Sequence, residues 1–244
     1  MKSIFKKLYS IYFVLVGFVV VLGTYLQSII IKLIFGKKAI YYLRRLYKLN
    51  SNFILLLQGV SPKVKGEFPT KGTFVYCMNH QSDLDIILSL AILPPGFLFV
   101  AKEELLKAPI IGSLIKMADY LTIDRKNVRR SAETLDKIKD ELLSGHSVLV
   151  FPEGTRSVDG EIQKIKRGSL QVAFQTQTPI IPVVNDPLFK IFNKAEKNIT
   201  LLEIKTIVGK PQVYDWDNDS RDYSIESAMK LEVIMKEMLV EIRS

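Results

Sequence analysis

The chain has 244 residues, 34 of them Lys or Arg and 25 Asp or Glu, for a formal charge of +9. A hydrophobic share of 48% excludes a disordered chain, and the length suits one domain with an appendage. The single cysteine, Cys77, excludes an internal disulfide framework and a multi-cysteine zinc site, pointing to a reducing compartment, and two histidines leave little for a histidine-rich metal centre.

The charge is unevenly placed. Residues 1–66 hold eleven basic side chains and no acid, whereas residues 67–244 hold 23 basic and 25 acidic ones, a net of −2. The basic footprint therefore sits on an apolar leader, which argues against a nucleic-acid partner and for an anionic membrane surface. From Leu8 to Ile31 no residue is charged. At helical rise this run reaches about 36 Å, enough for a hydrocarbon core of about 30 Å. It exceeds the apolar region of a signal peptide, about 7–15 residues, and no small-residue cleavage site follows it.

Next, Tyr42, Leu43, Leu46, Tyr47 and Leu49 alternate with Arg44, Arg45 and Lys48, ahead of the apolar run Phe53–Leu57. This pattern predicts an amphipathic interfacial helix with its basic residues facing headgroups. One spanning helix would put a basic cluster on each side of the bilayer; a helix pair dipping into one leaflet keeps both cytoplasmic and is the preferred reading. Ser10, Gly17 and Thr24, seven residues apart, form a small-residue stripe against which a second helix can pack. The leader is expected to occupy residues 1–58 and an α/β domain residues 59–244.

Beyond the leader the predicted strands are Thr73–Met78, Phe97–Ala101, Tyr120–Ile123, Ser147–Phe151, Ile180–Val184 and Ile199–Val208. The predicted helices are Asp83–Ala91, Ala108–Met117, Val128–Leu143, Gly168–Thr176 and Ile225–Ile242. Their alternation predicts an α/β fold with a single mostly parallel sheet flanked by helices, where ligands bind beyond the carboxyl ends of the strands.

Two motifs fall at such ends. Asn79-His80-Gln81-Ser82-Asp83-Leu84-Asp85 follows the strand VYCM. On one continuous helix His80 and Asp85 would point about 140° apart. With His80 in the turn and Asp85 one turn into the helix, the carboxylate can hold the imidazole and make it a base. The alternative is a helix cap followed by an exposed acid. Phe151-Pro152-Glu153-Gly154-Thr155-Arg156-Ser157 follows the strand VLV. Here Gly154 lets the backbone turn closely around a ligand, and Arg156 offers a fork suited to phosphate. Glu153 is placed to hold a hydroxyl or orient an arginine, or these residues form an ordinary loop with a surface ion pair.

Taken together, Asn-His-x4-Asp and, some seventy residues later, Phe-Pro-Glu-Gly-Thr-Arg-Ser resemble the glycerolipid acyltransferases, the 1-acylglycerol-3-phosphate acyltransferase family. Ile123-Asp124-Arg125 and Ile181-Pro182-Val183 are similar to two further blocks of that family, and a membrane-embedded leader is typical of it. The chain departs at Asp119, more often glycine, and at Thr122, more often apolar or aromatic. The resemblance implies His80 as general base and Asp85 as its orienting partner. It implies Lys102, Arg125, Glu153, Gly154, Thr155 and Arg156 as acceptor-binding residues, with no metal and no cofactor beyond an acyl-CoA or acyl-carrier-protein co-substrate. The implied product is phosphatidic acid, made at the cytoplasmic face of the cell membrane. Another lysolipid acceptor, or a membrane-bound phosphoester hydrolase, is the alternative.

Other reactive residues are read as structural. Cys77 is an apolar filler, Ser82 a helix cap and His146 a surface turn residue. Lys164, Lys166 and Arg167 can line a donor entrance by charge alone. Asp215, Asp217, Asp219 and Asp222 are read as a polar loop around Trp216 rather than a calcium site.

Overall fold

The computed structural model describes residues 2–124, 127–193, 198–216, 218 and 221–244. Two helices come first. Helix α1 (Lys2–Phe35) runs the length of the apolar leader and stops at Gly36, whose φ of +52 opens a short 3₁₀ turn; α2 (Ala39–Leu57) then folds back along it. The segment is long and apolar enough to cross a membrane. Two of the three stripe residues lie toward the second helix: Asn50 donates to Thr24 Oγ1 at 2.8 Å, and a side chain at Gly17 would meet Gln58 at 3.5 Å, whereas Ser10 faces Ile199. Away from that contact α1 leaves Leu8, Ile11, Val14, Leu15, Phe18 and Val19 exposed.

The remaining chain supplies β1 (Lys63–Lys65), β2 (Val75–Met78), α3 (Leu84–Ile92), β3 (Leu98–Lys102), α4 (Pro109–Met117), β4 (Leu121–Ile123), α5 (Val128–Leu143) and β5 (Val148–Val150). There follow α6 (Arg167–Thr176), β6 (Ile180–Asp186), α7 (Leu188–Ile191), the pair β7 (Phe192–Asn193) and β8 (Asn198–Ile199), β9 (Lys205–Val208) and α8 (Arg221–Arg243). The main sheet has the order β1-β9-β6-β2-β5-β3-β4, parallel except where β6 meets β9. Helices cover both faces, so the central strands β2 and β6 are buried throughout, with polar residues in β6 only at its end, Asn185 and Asp186. One core joins α5, α6 and α8 to the sheet, and a second fills the opposite face under α3 and α4.

Three local expectations change. The predicted strand Ile199–Val208 divides: Ile199 pairs in the β7–β8 hairpin and donates its N–H to Ser10 Oγ of α1, so the ladder resumes only at Lys205. Strand β1, unpredicted, is an exposed Lys-Val-Lys edge that carries no alternating apolar pattern. The basic residues of α2 do not all face outward. Lys48 Nζ donates to the carbonyls of Ala91 and Leu93 at 2.9 and 2.6 Å, capping the end of α3, and Arg44 donates to Ala118 and Gly96. Only Arg45 keeps the expected outward place, stacked 4.3 Å over the Tyr41 ring.

Asp119, where the resembled family has glycine more often, has φ +55 just past the end of α4. An L-residue tolerates that left-handed conformation best as Asn or Asp, so the substitution is one of backbone geometry.

Candidate active site

The strand order β2-β5-β3-β4 lines up, at one edge of the sheet, four segments that are far apart in sequence. His80 follows β2, the Phe151–Ser157 loop follows β5, Lys102 ends β3 and Asp124 follows β4.

The turn between β2 and α3 brings His80 and Asp85 together: Nδ1 lies 2.7 Å from Asp85 Oδ2. The same oxygen accepts the backbone N–H groups of Gln81 at 2.7 Å and Ser82 at 2.8 Å. Asp85 is fully buried in the first turn of α3; burial pushes its carboxyl up, while the His80 contact and the two N–H groups favour the charged form. An oxygen already accepting two N–H groups can take only a hydrogen from Nδ1, so Nε2 keeps its lone pair and can accept a proton. Ser82 Oγ accepts the Leu84 N–H at 3.3 Å, the capping contact expected of it.

The second motif is fastened to the first through the backbone of the histidine. Glu153, 1% exposed, accepts the His80 N–H at 3.0 Å through Oε1 and the Gln163 N–H at 3.2 Å through Oε2, and Ser157 N–H donates to His80 O at 2.7 Å. Burial pushes the Glu153 carboxyl up to about 7, against the two N–H groups. Both oxygens of this carboxylate are thus turned inward onto backbone N–H groups of the chain. Gly154 has φ +71, a conformation that strains an L side chain, and a Cβ there would displace the end of the Lys166 side chain, 2.7 Å away. Thr155 is exposed, and Arg156 Nη1 pairs with Asp83 Oδ2 at 2.5 Å at the mouth of the site. Lys102 is exposed at the end of β3 and paired with Glu104 at 3.1 Å. Arg125 lies outside the described residues; Asp124, beside it, accepts the Ser131 hydroxyl at 2.6 Å through its backbone oxygen.

Phe151 stacks on the His80 ring, with centroids 4.2 Å apart and planes 18° from parallel. Phe99 packs 5.9 Å from Phe151 and in turn lines an apolar cavity of about 140 Å³ between the helix pair, α3 and α4. Ile86, Leu90, Ala101, Ile115 and Tyr120 wall its domain side, and Val21, Tyr47 and Ile54 the leader side. An apolar cavity thus lies two aromatic rings from the imidazole. The sequence reading missed Phe151 as that link, although it stands first in the second motif. It also missed Asn79, which exchanges two hydrogen bonds with the backbone of Asn185, at 2.9 and 2.8 Å, and so ties β2 to β6 beneath the site.

Of the residues set aside earlier, Cys77 and His146 sit apart from this arrangement, and Asp217 and Asp219 lie outside the described residues. Cys77 is fully buried and its thiol pushed up by burial, and His146 pairs with Glu141 on the surface.

Known proteins are similar to this chain in sequence and in fold. The 1-acyl-sn-glycerol-3-phosphate acyltransferase alpha of Mus musculus is 35% identical over 147 residues, covering 59% of this chain and 52% of that protein. The 1-acyl-sn-glycerol-3-phosphate acyltransferase of Saccharomyces cerevisiae is 32% identical over 159 residues, 61% of this chain and 52% of its own length. The chain therefore spans about half the length of the curated relatives it matches. The crystal structure of the 1-acyl-sn-glycerophosphate (LPA) acyltransferase from Thermotoga maritima shares the fold, with a TM-score of 0.81 at 24% identity over 100% of this chain and 98% of that one. A protein-family model described as acyltransferase matches residues 61–186, from β1 to the end of β6, and with both motifs inside that span the chain belongs to the acyltransferase family.

Proposed function

We propose that the protein transfers a fatty acyl chain from an acyl thioester, on coenzyme A or acyl carrier protein, to the free hydroxyl of 1-acyl-sn-glycerol 3-phosphate. The product is phosphatidic acid. The observation that carries this reading is the 2.7 Å contact between His80 Nδ1 and Asp85, with Phe151 and Phe99 standing between the imidazole and an apolar cavity. His80 Nε2 removes the hydroxyl proton as the acceptor oxygen attacks the thioester carbonyl carbon, and Asp85 supports the imidazolium that forms. The tetrahedral intermediate collapses with loss of the thiolate, which takes the proton back from His80. The steps balance with the thioester as the only co-substrate.

The apolar wall of the cavity suits a segment of an aliphatic chain, while Arg156, Lys102 and Arg125 supply cationic groups for the acceptor phosphate. The exposed apolar side of α1 enters the cytoplasmic leaflet, bringing the site to a lipid substrate. The first relatives' names point to the same acceptor. Purified protein given labelled acyl-CoA or acyl carrier protein, lysophosphatidate micelles and a chelator is expected to form labelled phosphatidic acid. Release of inorganic phosphate instead, or loss of all turnover on chelation, would transfer the assignment to a phosphoester hydrolase.

A further inference from the structure

Outside the motifs, one polar cluster, buried at Gln81 and Asp186, reaches the proposed base from α8. Arg243, in the last turn of α8, donates Nε to Asp186 Oδ2 and Nη2 to Asp186 Oδ1, each at 3.2 Å. Nη2 also donates to Gly160 O at 3.1 Å, and Nη1 to Glu161 Oε1 at 2.5 Å. The side-chain amide of Gln81 binds two of the same acceptors, Asp186 Oδ1 and Gly160 O, both at 3.1 Å. Gln81 is the residue after His80, and its own N–H donates to the Asp85 oxygen that holds the imidazole. Gln81 is 4% exposed and Asp186 6%, so the bond between them lies in a low-dielectric setting, which Arg243 reaches from the surface.

We propose that Arg243 is a positioning residue for the His80–Asp85 pair, acting through Asp186, Gly160 and Gln81. The fork of the guanidinium holds Asp186 and Gly160 O together, and two of its acceptors, Asp186 Oδ1 and Gly160 O, hold the Gln81 side chain. Gln81 then sets where its backbone N–H, and with it the Asp85 carboxylate, stands against the imidazole. Glu161 and Gly160 belong to the segment just after the second motif, so the same fork anchors that segment to α8. Charge alone does not do this work; a lysine in the same place keeps the cation and loses the fork.

The inference rests on the proposed base, and its test separates the two. Arg243→Lys keeps the charge opposite Asp186 and is the variant to read first, since Arg243→Ala leaves that buried carboxylate unpaired and can unfold the helix end. The chain has two histidines, so histidine-labelled protein gives two imidazole signals. In Arg243→Lys the His80 signal is expected to move while that of His146 stays, a result that needs no substrate. With acyl-CoA and lysophosphatidate, kcat is expected to fall about tenfold or more with both KM values held within twofold, because misplacement at a distance acts on the chemical step. Millimolar guanidinium ion is expected to recover part of kcat in Arg243→Ala, a gain that a merely destabilised protein would not show in the presence of a denaturant. An unmoved His80 signal, kcat within twofold of the parent, or a loss that guanidinium fails to relieve would overturn the positioning role. Absence of acyl transfer in the parent protein, with the His80 signal still shifted by Arg243→Lys, would overturn the proposed function and leave the coupling standing.

Discussion

Glu153 Oε1 accepts the backbone N–H of His80 at 3.0 Å, joining two motifs that stand seventy-three residues apart in sequence. The carboxyl is buried and held up to about 7, above the ordinary 4.5. Between those values the folded protein binds a proton that the unfolded chain has released, so this group favours the folded state most at low pH and loses that contribution as pH rises through about 7. The gap is worth roughly 3 kcal/mol. Glu153→Gln removes the titration but leaves one N–H facing an amide nitrogen. Denaturant midpoints measured from pH 5 to pH 8 should show the parent falling relative to Glu153→Gln. A constant difference between the two proteins would mean that Glu153 does not titrate in this range.

Asp85 Oδ2 serves three donors, so Asp85→Asn sets an amide group against N–H groups wherever its oxygen cannot reach. The imidazole then loses the partner that fixes its tautomer. Turnover should drop by about 10³–10⁴, as with the orienting acid of a serine-protease triad. His80→Ala should lower it by at least about 10², the usual worth of a positioned base. Both measurements require unchanged circular dichroism and membrane association, and turnover within tenfold of the parent would remove the base assignment.

Arg156 sits at the mouth of the site, 2.5 Å from Asp83, and does not touch the imidazole. Arg156→Ala should raise KM for a phosphate-bearing acceptor about tenfold or more while changing KM for the thioester little, given the strength of hydrogen bonds between charged groups. Equal effects on both substrates would argue against contact with the phosphate.

The cavity behind Phe99 has Leu90 in its wall. Leu90→Trp fills space that a long chain needs, so kcat/KM for long-chain donors should fall relative to short-chain donors. Overpacking costs about 1–3 kcal/mol in its own right. A competition assay within one preparation cancels that loss, and an unchanged long-to-short ratio would place the chain elsewhere.

The two kinds of leader residue should separate cleanly. Lys48→Met strips the Ala91 and Leu93 carbonyls of a donor and should cost about 1–3 kcal/mol in stability with little change in vesicle binding. Phe18→Glu, on the exposed side of α1, should release the protein from anionic vesicles and leave the melting temperature of the α/β domain in place. Flotation and thermal melts on both variants decide the matter.

Period, charge and motif residues alone settled that a basic apolar leader precedes an α/β domain, and that the polar residues of both motifs follow strands. These are properties of neighbouring residues, legible wherever local pattern and burial agree. The resemblance carried by those motifs named the acyltransferase family before any coordinates. What tertiary structure decided was contact across distance. Strand order set the two motifs side by side, turned Glu153 inward to the His80 backbone, drew Lys48 and Arg44 off the membrane side to cap α3 and α4, and set Arg243 against Asp186. A side chain's sequence neighbours do not say which remote carbonyl or carboxylate will lie within 3 Å. That follows from how sheet and helices pack, and there the chemical roles of equally polar residues divide.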